Sequence, residues 1–181
     1  MIKVCVALAA SIAALVIVVA MQPSSFAVER STAIRAPADI IYGHIENLRT
    51  MDTWSPWSMM DPQMKITYEG PEAGVGASSS WDGPKVGRGR MTITAAKVDQ
   101  EVDIRLEFLA PLRATNRTVF ALSQADDSTR VTWRMEGTNG LIGKAFALFM
   151  NMDKTVGGDF ERGLAALKLL AETDAEKRTT Q

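Results

Sequence analysis

A single histidine, His44, and a single cysteine, Cys5, set narrow limits on the chemistry open to this 181-residue chain. One imidazole cannot form a His-pair metal site and leaves one possible imidazole base. One thiol supports neither an intrachain disulfide nor a Cys-based metal site. The carboxylates Asp52, Asp61, Glu69 and Asp82 lie in or near loops, and no pair has a spacing that demands acid–base work. Gly74-Val75-Gly76 and Gly87-Arg88-Gly89 lack both the full dinucleotide fingerprint and a following helix, so they read as strand or turn glycines. Asn116-Arg117-Thr118 matches a glycosylation sequon but falls inside a predicted strand. No cofactor and no metal are expected from these motifs.

Large apolar side chains are more informative. Ten Met and four Trp imply an interior that adapts its shape, because the thioether chain of Met is flexible and polarizable. The candidates for a cavity wall are Trp54, Trp57, Trp81, Met91, Trp133, Met135, Phe146, Phe149, Met150 and Phe160. Of these, Trp54, Trp57, Met91, Trp133, Phe146, Met150 and Phe160 are the expected ligand contacts. Trp133 and Met91 fall on apolar strand faces, and Phe160 opens a helical stripe. Pro56 keeps the Trp54–Trp57 segment from continuing as helix. The competing reading is that the same residues simply fill the core.

The elements that must position them follow from periodicity. Phe26 to Ile34 reads as a strand, followed by a Pro37-marked helix start and an apolar stripe at Ile40, Ile41, Ile45 and Leu48. Short strands are expected at 64–68, 77–81 and 87–98. Ile104, Leu106 and Phe108 alternate with Asp103, Arg105 and Glu107, the pattern of an antiparallel sheet wet on one face. Segments 115–122 and 131–136 complete about seven strands. From Gly143 the period becomes helical, with a break expected near Val156-Gly157-Gly158. Phe160, Leu164, Leu167 and Ala171 then continue the stripe. The fold class is therefore α+β, one curved antiparallel sheet against a long C-terminal helix. Glu172 to Arg178 reads as a solvated, frayed tail.

Strand, proline turn, short helix and Trp54-Ser55-Pro56-Trp57, with Met152-Asp153-Lys154…Val156-Gly157…Asp159-Phe160-Glu161…Gly163-Leu164 at the final helix, resemble the SRPBCC superfamily. These are the START-like or polyketide cyclase/dehydrase-like helix-grip domains, many of them membrane-anchored. The resemblance covers roughly Phe26 to Glu172. It implies a cavity between sheet and long helix, and binding of a hydrophobic small molecule or lipid there. It also leaves open a cyclase-, dehydratase- or hydrolase-type enzyme, and a protein-partner-binding module.

The domain division is 1–25 as an N-terminal membrane anchor or signal sequence with a short linker, 26–173 as the START-like domain, and 174–181 as a polar tail. Val4 to Met21 holds eighteen residues without a charge. As a helix it would be about 27 Å long, just enough for a hydrocarbon core of about 30 Å. A retained transmembrane helix at residues 4–21 is favoured over a cleaved signal, although Val18-Val19-Ala20 and Ser25-Phe26-Ala27 both have cleavage-type spacing. Lys3 before the span places the domain on the extracytoplasmic side, with Arg30 and Arg35 weighing against that orientation. A formal net charge of −1 gives no footprint for nucleic acid.

Overall fold

Alternation at every second residue builds a sheet whose one face can be apolar. In the computed structural model that sheet has seven strands: β1 (Ser25–Ile34), β2 (Lys65–Glu69), β3 (Ser78–Gly83), β4 (Gly87–Lys97), β5 (Glu101–Ala110), β6 (Ala114–Ala125) and β7 (Ser128–Thr138). The structure describes residues 11, 13–148 and 151–180, with the side chains of all these except 142, 146 and 147. The strand order is β1-β7-β6-β5-β4-β3-β2, and every neighbouring pair is antiparallel. Thr118, Phe120 and Leu122 on β6, and Val131, Trp133 and Met135 on β7, turn to the buried face. A register shift between Ile93 and Ala95 interrupts the β4–β5 ladder, the kind of irregularity that bends a sheet.

Three short helices follow β1: α1 (Ala38–Glu46), α2 (Leu48–Trp54) and α3 (Pro56–Met60). The Asn47 side chain accepts from Arg49 N at 2.9 Å and Thr50 N at 3.3 Å, capping α2 and satisfying amides that a helix start leaves orphaned. Pro56 starts α3, where its missing N–H costs nothing. The segment Trp54–Trp57 read as an aromatic loop is thus the junction of two helices at Ser55.

After β7 come α4 (Leu141–Ala147) and α5 (Met152–Thr179). α5 buries Phe160, Gly163, Leu164, Leu167 and Ala171 against the sheet, the spacing that the periodicity predicts. Two details differ from the sequence reading. The helix runs through Val156-Gly157-Gly158 without a break, starting instead at the Asn151 cap, whose side chain accepts from Lys154 N at 3.0 Å. Gly157 is there for a close approach: a Cβ would collide with the Arg30 guanidinium of β1, which binds Asp153 at 2.9 Å and Glu161 at 2.7 Å. The C-terminal residues also stay helical to Thr179, and Arg178 reaches Asp39 of α1 at 2.6 Å.

Residues 13–20 are helical, with Leu15, Val16, Ile17 and Val18 roughly half exposed. Among the described residues no helix is long and apolar enough to cross a membrane. Of the span expected at residues 4–21, residues 4–10 and 12 lie outside them.

Candidate functional site

Between the sheet and α2, α3 and α5 lies a cavity of about 640 Å³. Five of the expected contacts, Trp54, Trp57, Met91, Trp133 and Phe160, line it together, as do Trp81 and Met135. The Phe146 side chain, and Phe149 and Met150 entirely, lie outside the described residues.

Trp133, at the centre of β7, organises one wall. Its ring stacks on Phe160 at 4.1 Å between centroids and 8° between planes. Trp54 and Trp57 each meet it edge-on at 5.7 Å, the geometry favoured by the ring quadrupoles. α5 can come this close because residue 163 is glycine: a Cβ there would sit 2.7 Å from Trp133 Cζ3 and 3.2 Å from Pro56 Cδ. Trp54, Trp133 and Phe160 are 0 %, 4 % and 1 % exposed, so they belong to the packed core and to the cavity wall at once. The opposite wall is looser, built of Met64, Ile66, Met91, Leu106 and Phe108. Trp81 meets Phe108 edge-on there at 5.9 Å.

The polar groups are few. Asp52 is the only carboxylate lining the cavity and Lys85 the only cation, among the described residues. Lys85 Nζ donates to the Met60 carbonyl at 3.3 Å. Beneath it, buried Asp61 accepts from Lys85 N at 2.8 Å and Val86 N at 3.3 Å, clamping the β3–β4 turn to the end of α3. Asp52 projects from α2 and accepts from the Tyr68 hydroxyl at 2.5 Å. Burial raises the Asp52 carboxyl above the ordinary carboxylate range, and the Tyr68 hydrogen bond opposes that shift. Burial and the neighbouring carboxylate push the Tyr68 phenol up to about 12. The Arg49 guanidinium covers the outer face of the Tyr68 ring at 4.1 Å. Ser58 Oγ, Thr118 Oγ1 and Trp133 Nε1, all on lining residues, are buried without a partner among the described residues.

His44 is elsewhere. Its Nε2 lies 3.1 Å from Asp174 of α5, joining two helices, and it does not line the cavity. No group of three His, Cys, Asp or Glu side chains that could hold a metal ion occurs among the described residues. Sequence reasoning passed over Asp52 as a loop carboxylate. The signal was present: positions 48, 51, 52 and 55 share one face of a helix, so a charge at 52 sits in line with Leu48 and Met51.

Comparison with known proteins agrees with this architecture. The sequence model of the family described as "Polyketide cyclase / dehydrase and lipid transport" matches residues 25–172. No curated protein sequence matches the chain. Among solved structures, the Aha1 dimer from Colwellia psychrerythraea is similar with a TM-score of 0.59 at 14% identity, covering 81% of this chain and 96% of that one. A hypothetical protein from Helicobacter pylori gives 0.62 at 10% identity, covering 81% and 88%. The di-domain ARO/CYC StfQ from the steffimycin biosynthetic pathway gives 0.61 at 11% identity, covering 84% of this chain and 52% of StfQ. At such identities the likeness describes the fold alone.

Proposed function

The chain belongs to the polyketide cyclase / dehydrase and lipid transport family, and from that premise we propose that it binds a hydrophobic small molecule or lipid between the sheet and α5. The observation that carries this reading is the cavity itself. Its volume of about 640 Å³ falls within the ~300–1,000 Å³ common for small-molecule sites. Its lining is apolar apart from a few groups, so transfer of an apolar ligand from water is favourable. Native mass spectrometry of the gently extracted full chain tests this. A co-purifying apolar molecule at one per chain supports the container, whereas a bare chain that also refuses added lipid overturns it. A bare chain held by a stable protein partner would instead favour the partner-binding alternative.

We place the domain at a membrane, held there by residues 4–21, with the domain on the extracytoplasmic side. Support comes from the uncharged run in the sequence and from the exposed apolar side chains of Leu15, Val16, Ile17 and Val18. A mature chain starting after Ala20 and fractionating as soluble would refute the tether without touching the container.

A second reading, a cyclase- or dehydratase-type enzyme, is favoured by one observation: the Asp52 carboxyl, raised by burial, faces the cavity. Such a group can serve as a general acid or base. Turnover of a polyketone-like substrate that Asp52→Asn abolishes, with the fold intact, would establish it.

A further inference from the structure

Among the described residues, the cavity wall holds one carboxylate, and that carboxylate is only half satisfied. Asp52 Oδ2 accepts from the Tyr68 hydroxyl at 2.5 Å, while no hydrogen bond reaches Oδ1 among the described residues. An Asp side chain has about four acceptor sites on its two oxygens and, when ionised, donates nothing. Its neighbours explain how it is held. Tyr68 shares the buried face of β2 with Ile66, and its backbone pairs across to Ser79 of β3. Ser79 is 3 % exposed and lines the cavity, and its side-chain hydroxyl makes no hydrogen bond among the described residues. Behind Tyr68, Arg49 lies over the ring at 4.1 Å, fixing the phenol that fixes the carboxylate. A charged group retained in an otherwise apolar pocket, with one oxygen held and one open, is built for a hydrogen-bond donor.

We infer that Asp52 is the polar recognition point of the cavity and that its ligand is an apolar molecule bearing a hydroxyl group, which donates to Asp52 Oδ1. Ser79 stands next to the dyad as a second hydroxyl for the same group. Tyr68 acts as a positioning residue. The inference rests on the container reading above and adds the ligand class: alcohols rather than ketones, esters or bare hydrocarbons. A carbonyl oxygen brought against the carboxylate finds no proton and repels it, and a hydrocarbon leaves it desolvated and unpaired.

Three probes of nearly the same shape separate the outcomes: fluorene, fluorenone and fluorenol, measured by equilibrium dialysis against the full chain. Fluorenol should bind wild type about tenfold tighter than fluorenone, the discrimination expected of one hydrogen bond to a charged acceptor. Asp52→Asn, which keeps the shape and can donate, should bring the two within about twofold. Tyr68→Phe should lower the alcohol preference without abolishing it, and it keeps the test open if the Asn variant fails to fold. Equal affinity of wild type for fluorenol and fluorenone, or a preference that survives in Asp52→Asn, would overturn the inference and leave the container standing. Failure of all three probes to bind would defeat the container reading itself.

Discussion

Replacing Phe160 by Ala removes the side chain through which α5 grips the sheet. Phe160 is 1 % exposed and stacks on Trp133 at 4.1 Å. Burying a Phe side chain is worth about 1.5–3 kcal/mol, and an aromatic pair adds about 0.5–1.5 kcal/mol. Phe→Ala in a closed core costs ~3–5 kcal/mol because a new void remains. Here the space opens into an existing cavity, which places the loss near the lower bound, at about 3 kcal/mol. For a chain of this size that is a fall in Tm of about 6–12 °C. The control is Leu169→Ala on the same helix, 70 % exposed and expected to stay within about 0.5 kcal/mol of wild type. Urea unfolding followed by far-UV circular dichroism measures both. A Phe160→Ala loss below about 1 kcal/mol, or one no larger than that of Leu169→Ala, would refute the placement of α5 on the Trp133 wall.

Adjacent glycines on α5 should respond oppositely. Gly158→Ala meets only Arg162 Nη1 at 4.0 Å and should gain about 0.5–1 kcal/mol from helix propensity, whereas Gly157→Ala displaces Arg30 and should show no gain in the same thermal melt. The folded state binds the Asp52 proton more tightly than the unfolded chain does, because burial raises that carboxyl. Asp52 therefore contributes stability at low pH that is lost as pH rises through its folded pKa, and the stability gap favouring Asp52→Asn should open over that range in urea titrations. At the alkaline end Tyr68 stays protonated in the fold up to about 12, against 10.0 unfolded, so wild type should lose stability between those values. Tyr68→Phe should flatten that limb.

The strands were the most legible part of the chain, because alternation at Ile104, Leu106 and Phe108, and at Val131, Trp133 and Met135, is a direct record of a sheet with one buried face. The stripe from Phe160 to Ala171 was equally clear. Met91, Trp133 and Phe160 could be picked out as cavity-lining residues because each lay on the apolar side of its element, and Trp54 and Trp57 because Pro56 sets them at a helix end. What escaped were features whose cause is tertiary. Gly157 and Gly158 read as a helix break, since glycine disfavours helices; the Arg30 guanidinium that needs the space at 157 comes from a strand 127 positions earlier. The Asp52–Tyr68 pair joins residues 16 apart on different elements, and no local pattern marks it. Helix continuation through residues 174–179 depends in part on Asp39 meeting Arg178, again a contact that periodicity does not record.

The most direct test of the container is to fill it. Leu106 lines the cavity from β5 opposite the Trp133 wall, and Leu106→Trp would put an indole into space that is now open. Binding of the apolar dye phenylnaphthylamine to the full chain, by equilibrium dialysis, should reach one site per wild-type molecule. In Leu106→Trp it should fall at least about tenfold while the unfolding midpoint is kept or raised, since filling a cavity is not overpacking. Equal dye binding by the two proteins, or no saturable binding by wild type, would contradict a ligand site between the sheet and α5.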